Sequence, residues 1–191
     1  MVTQANLPEF TERMIDSVGN ISASWGQYMH ELFNRVGGDK QYNLGGTLTV
    51  DTTEVGNVGS GADDLITYSL QKNTLVTTGD RLEITAFGIG AANANNKTIK
   101  LLLGTTELFS TGAVASSGKD WRIDCTIIRT AAATQVSTTA FSGDTVLVTQ
   151  ISDFVSGTED FTTALTIKCT GEATTTDDII QKGLTINLFP R

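Results

Sequence analysis

The chain has 191 residues, enough for one full domain with an appendage and too few for two ordinary domains. Its 21 acidic residues outnumber the 13 basic ones, a net charge of −8, so the basic stripe that would neutralise phosphates is missing and no nucleic-acid partner is expected. No apolar run approaches the roughly 20 residues of a membrane span, and the N-terminus lacks a basic region followed by an apolar one. The expectation is a soluble protein with no secretory signal and no membrane insertion.

In chain order, the first element is helical. From Pro8 to Val36 the apolar residues Met14, Val18, Ile21, Trp25, Tyr28 and Leu32 are spaced 4, 3, 4, 3 and 4 apart, the a/d seam of a coiled coil or narrow bundle. Pro8 suits a first helical turn and Gly37-Gly38 is a stop signal. Gly19 and Gly26 each cost about 1 kcal/mol in a helix interior, which allows a kink or two shorter helices. A lone amphipathic helix is marginal in water, so this face needs a cover: the rest of the chain, or copies of itself. The narrow seam and the Gly-Gly hinge favour self-association. The six seam residues are the candidate oligomerisation and anchoring site, with a trimer expected. His30 falls on the outer face of this helix.

After Gly38 the period changes to two. Leu44 to Val50, Ile66 to Leu70, Leu82 to Ala86, Ile99 to Leu103, Trp121 to Ile127, Leu165 to Cys169 and Leu184 to Leu188 alternate apolar with polar residues. Val146 and Val148 belong to a more continuous apolar run. Turn signals separate these runs, such as Thr78-Gly79-Asp80 and Gly104-Thr105. Thr, at 31 residues, is β-branched and suits the wet face of a strand, which strengthens the β reading. Eight or nine short strands with no helical pattern between them predict an antiparallel β-sandwich, jelly-roll-like, preceded by the amphipathic helix. The expected division is a helical segment over 1–40 and a β domain over 41–191.

Chemical motifs are sparse. Gly88-Ile89-Gly90-Ala91-Ala92-Asn93 approaches a dinucleotide fingerprint, but Asn93 replaces the third Gly and no helix follows, so a Gly-rich loop between strands is expected. One histidine cannot build a His-rich zinc site, and it lacks partners for a nucleophilic triad. Cys125 and Cys169 occupy apolar-phase strand positions and read as buried thiols. The carboxylate pairs Asp63-Asp64, Glu159-Asp160 and Asp177-Asp178 raise glycosidase chemistry or a loop Ca²⁺ site, but they sit in or beside turn-like segments where solvated acidic loops are ordinary. Asn20-Ile21-Ser22 and Asn96-Lys97-Thr98 match the glycosylation triplet by chance. Phe87, Phe109, Phe141, Phe154, Phe161 and Phe189 are candidates for a sugar platform, with core or rim packing the ordinary alternative. No catalytic, cofactor-binding or metal residue is assigned.

The run from Ser22 to Gly38, with Trp25, Tyr28 and a closing Gly37-Gly38, resembles the short N-terminal helix of tailed-phage structural proteins. The stretch from Asp80 to Phe109 is similar to β domains of phage minor structural proteins. The resemblance implies a non-enzymatic, homotrimeric virion component made in the host cytoplasm. It would act as a capsid-decoration (cement) protein or head fibre anchored by its helix to the capsid shell or tail. The alternative is a short tail-fibre tip that binds a receptor or host-surface glycan. The absence of a shaft repeat favours a compact knob over a long fibre.

Overall fold

The computed structural model describes Trp25, Met29 and residues 45–143 and 151–191. Trp25 and Met29 have helical backbone, too few residues to define an element, and the helix expected over 8–36 otherwise lies outside the described residues. So do Val146 and Val148. By compactness the chain divides into Met1–Leu44 and Gly45–Arg191.

The second unit is all β, with twelve strands among its described residues: β1 (Gly46–Asp51), β2 (Val55–Gly56), β3 (Gly61–Leu70), β4 (Arg81–Gly90), β5 (Ala92–Leu103), β6 (Thr106–Ser110), β7 (Val114–Ser117), β8 (Asp120–Ala131), β9 (Thr134–Gly143), β10 (Ile151–Gly157), β11 (Leu165–Ala173) and β12 (Ile179–Phe189). They form two antiparallel sheets. The larger runs β1-β12-β4-β8-β9-β10 with β2 beside β12, and the smaller runs β3-β11-β5-β6 with β7 beside β5.

The period-two alternation sorts side chains between core and solvent. Across the larger sheet, Leu188–Leu82–Ile127, Ile186–Ile84–Cys125 and Leu184–Ala86–Ile123 form three inward rows, all buried. The smaller sheet answers with Ile99, Leu101 and Leu103 of β5 and Leu165, Ile167 and Cys169 of β11, in one continuous core. Each fully buried Leu, Ile or Phe contributes about 1.5–3 kcal/mol of transfer free energy. Phe109 of β6 stacks on Phe141 of β9 at 5.2 Å, joining the two sheets along one side.

Twelve strands exceed the eight or nine read from alternation, and the excess has physical causes. β9 continues the inward rows with Ser137, Thr139 and Phe141, preceded by buried Gln135, so its core face is mostly polar and its periodicity is invisible. Its hairpin with β8 turns on Ala132-Ala133, neither at positive φ, with a register shift between Arg129 and Ala131 in place of a Gly or Asn. β6 and β7 are two short pieces on one side of β5, broken at Thr111–Ala113, where Thr111 Oγ1 accepts the Ile99 N–H at 2.9 Å.

The Gly88–Asn93 segment corrects an expectation. It is not a loop: Gly88 to Gly90 belong to β4 and Ala92-Asn93 to β5, with Ala91 alone between them. Gly88 is required by close packing. A Cβ there would collide with the Ile180 carbonyl oxygen and lie 2.6 Å from the Trp121 ring.

Candidate functional site

Of the six seam residues, the described part includes only Trp25, half-buried; Met14, Val18, Ile21, Tyr28 and Leu32 lie outside it, as does His30. The sandwich itself places the carboxylates in three settings. Asp63 and Asp64 are in strand β3 rather than in a turn: Asp63 accepts the Val58 N–H at 2.7 Å, and Asp64 pairs with Lys168 at 2.7 Å. Glu159 lies in the β10–β11 connection. Its Oε1 accepts four hydrogen bonds of 2.8–3.0 Å, from the backbone and hydroxyl groups of Thr105 and Thr106, and so clamps the β5–β6 turn. Burial pushes this carboxyl up, but the four donors outweigh it and hold it below its ordinary value. Asp160 accepts the Thr162 N–H and hydroxyl in a local turn.

Asp178 departs furthest from the expected solvated loop: it is 1% exposed. Asn93 Nδ2 donates to its Oδ1 at 2.5 Å, while Asn95 Nδ2 and the Thr175 N–H donate to its Oδ2 at 2.9 Å. Burial alone would raise this carboxyl, yet these donors hold it well below the usual carboxylate range. Beside it, Lys97 is 2% exposed and donates to Asn93 Oδ1 at 2.8 Å and to the Asn93 and Asn95 carbonyls. Burial lowers its pKa while the Asp178 charge partly restores it. Buried Asn57 and Gln181 complete this polar region: Asn57 binds the Gly59, Thr175 and Ile179 backbone, and Gln181 the Ile66 and Gly183 backbone. The arrangement fastens the β4–β5 and β11–β12 connections together. It holds no second carboxylate across a cleft, which glycoside hydrolysis requires.

Among the described residues no group of three or more His, Cys, Asp or Glu is placed to hold a metal ion. Cys125 and Cys169 are buried free thiols, pushed up by burial to about 11 and about 12, and so are inert at neutral pH. Phe109, Phe141 and Phe161 are core residues, whereas Phe87, Phe154 and Phe189 are exposed on the larger sheet. Asn96 is exposed in β5.

A groove absent from the sequence reading lies at one end of the larger sheet, about 510 Å³ in volume. Phe87, Ile89, Asp120, Arg122, Ser142 and Lys182 line it. Arg122 is already held by Asp124 through two bonds of 2.7 and 2.8 Å, and Lys182 by Glu54 at 2.6 Å. The Trp121 indole N–H at this wall is buried without a hydrogen-bond partner. Only the strand register brings these residues together, because they come from β4, β8, β9 and β12.

No protein-family model matches the chain, and no curated protein matches it.

Proposed function

We propose that the chain is a non-enzymatic assembly and attachment protein: a homotrimeric virion subunit of capsid-decoration or head-fibre type. It would be anchored through its N-terminal segment and display the β-sandwich. The observation that carries this reading is the division at Leu44, which separates the Met14–Leu32 seam from a sandwich in which Glu159 and Asp178 serve to fasten turns. The strand order supports a jelly roll. The first strand pairs with the last, β3 pairs with β11, and the chain passes between the sheets at β2–β3–β4–β5, β7–β8 and β10–β11–β12, as in a folded jelly-roll ribbon, with β9–β10 added at one edge. Such a scaffold needs no reactive group, and several linked copies raise avidity for a surface without any new contact.

Two measurements test it. Sedimentation equilibrium of the full chain should give three chain masses, reduced to one by Trp25→Asp with Tyr28→Asp. Mass spectrometry of purified particles should find the chain in the virion. A monomeric wild type, or particles lacking the chain, refutes the corresponding half of the proposal.

A second reading is favoured by the Phe87 groove. An aromatic edge beside Asp120, Arg122 and Ser142 suits a sugar ring, as in a receptor-binding fibre tip. Glycan-array binding lost in Phe87→Ala would select it.

A further inference from the structure

The Phe87 groove is shaped to present an aromatic face. Phe87 of β4 and Gly183 of β12 are register partners on the outer side of the larger sheet. A Cβ at Gly183 would collide with the tip of the Phe87 ring, so the missing side chain leaves the seat across which the ring lies. The ring is thereby held against β12 and still 39% exposed. The seat coincides with an irregularity of the ladder. Gln181 pairs with Gly88 and Gly183 with Phe87, which leaves Lys182 as the extra residue of a β-bulge and sets it at the groove. An aromatic ring fixed before a ligand arrives loses little rotamer freedom on binding. The volume of about 510 Å³ falls within the roughly 300–1,000 Å³ of small-ligand sites.

Charge narrows the ligand. Both cations of the lining are answered from within the chain, Arg122 by Asp124 at 2.7 Å and Lys182 by Glu54 at 2.6 Å. Asp120 pairs in register with Ile89, two residues beyond Phe87, and its side chain is exposed with no ion pair among the described residues. The lining therefore sets one unbalanced negative charge beside an aromatic face. An acidic sugar would be repelled there, and a neutral one would leave the carboxylate unanswered. We propose that the groove takes a glycan residue bearing a protonated amine, an amino sugar of the glucosamine kind, with its apolar ring face on Phe87 and its ammonium at Asp120. The inference rests on the glycan-binding reading above and names the class of sugar. An ammonium offers three donors to a carboxylate, and the exposed Ser142, register partner of Arg122, supplies a hydroxyl for a ring oxygen. N-acetylation removes the charge and with it the attraction to Asp120.

The test is isothermal titration of the full-length protein at pH 6 with a glucosamine tetramer and with the same tetramer fully N-acetylated. Wild type should prefer the amine form by about threefold to tenfold, and the preference should shrink as salt rises from about 0.01 M to about 1 M. Asp120→Asn, at an exposed position, should abolish the preference and leave the affinity for the N-acetylated form unchanged. Phe87→Ala should weaken both forms by about tenfold. Equal binding of the two tetramers to wild type overturns the amine assignment and leaves the glycan reading standing. A preference that survives Asp120→Asn, or binding that survives Phe87→Ala, places the site elsewhere and also overturns it. Binding of tetralysine with neither tetramer bound assigns the groove to a basic peptide, with the same consequence. A glycan array on which wild type binds no sugar removes the glycan reading itself.

Discussion

Asp178→Ala tests the polar fastening at the sandwich end. The substitution removes the acceptor for Asn93 Nδ2, Asn95 Nδ2 and the Thr175 N–H, and deprives buried Lys97 of its neighbouring negative charge. A hydrogen bond to a charged group contributes about 1.5–3 kcal/mol, and breaking a buried charge pair by removing one member costs about 3–5 kcal/mol. These overlap, because the same donors serve both, so the expected loss is about 4 kcal/mol. For a domain of this size, about 1 kcal/mol moves Tm by roughly 2–4 °C, which predicts a fall of about 8–16 °C. Urea titration followed by near-UV circular dichroism gives the free energy, and the linear slope checks that the transition stays two-state. Asp178→Asn retains one acceptor oxygen and should fall between wild type and Ala. If Asp178→Ala loses less than about 1 kcal/mol, the network is not holding these connections and the reasoning fails. The acid limb follows with a definite sign. The folded-state pKa lies below the unfolded value, so the contribution is complete above the ordinary Asp range near 4 and is lost as pH falls through the lower folded value. The Ala variant should therefore lose less stability than wild type on strong acidification.

Gly88→Ala should destabilise by about 3 kcal/mol or more, because its Cβ would meet the Ile180 carbonyl and the Trp121 ring; a thermal melt within 2–3 °C of wild type would contradict the packing. Glu159→Gln should weaken the clamp on Thr105 and Thr106 by about 1–2 kcal/mol. Its wild-type contribution should be complete above the ordinary Glu value of 4.5 and be lost as pH falls through the lower folded value, and urea midpoints across a falling pH series measure both. Cys125 and Cys169 should resist a thiol-specific chromophore at pH 8 and both react on unfolding; rapid labelling of native protein would refute their burial. Arg122→Ala should change stability by less than about 1 kcal/mol, because both members of its ion pair are about half exposed, and a larger loss in a urea titration would refute that.

Much of the β domain is legible in the sequence alone. Where a strand has one apolar and one wet face, as in Leu82-Ile84-Ala86 or Leu184-Ile186-Leu188, alternation identifies both the element and its core side. Burial of Cys125 and Cys169 follows from the same phase. The reading fails where local chemistry and tertiary role part company. β9 faces the core with Gln135, Ser137 and Thr139, and its turn is made by alanines, so neither periodicity nor turn residues announce it. Asp178 carries every local mark of a solvated turn residue, yet Asn93 and Asn95, more than 80 positions away, supply the donors that make its burial affordable. Pairing order and the Phe87 groove are likewise products of register between distant strands. A single sequence records which residues must leave water, because transfer free energy is a local property. Which of them meet is decided by the closure of two sheets over one core, and that is a property of the whole chain.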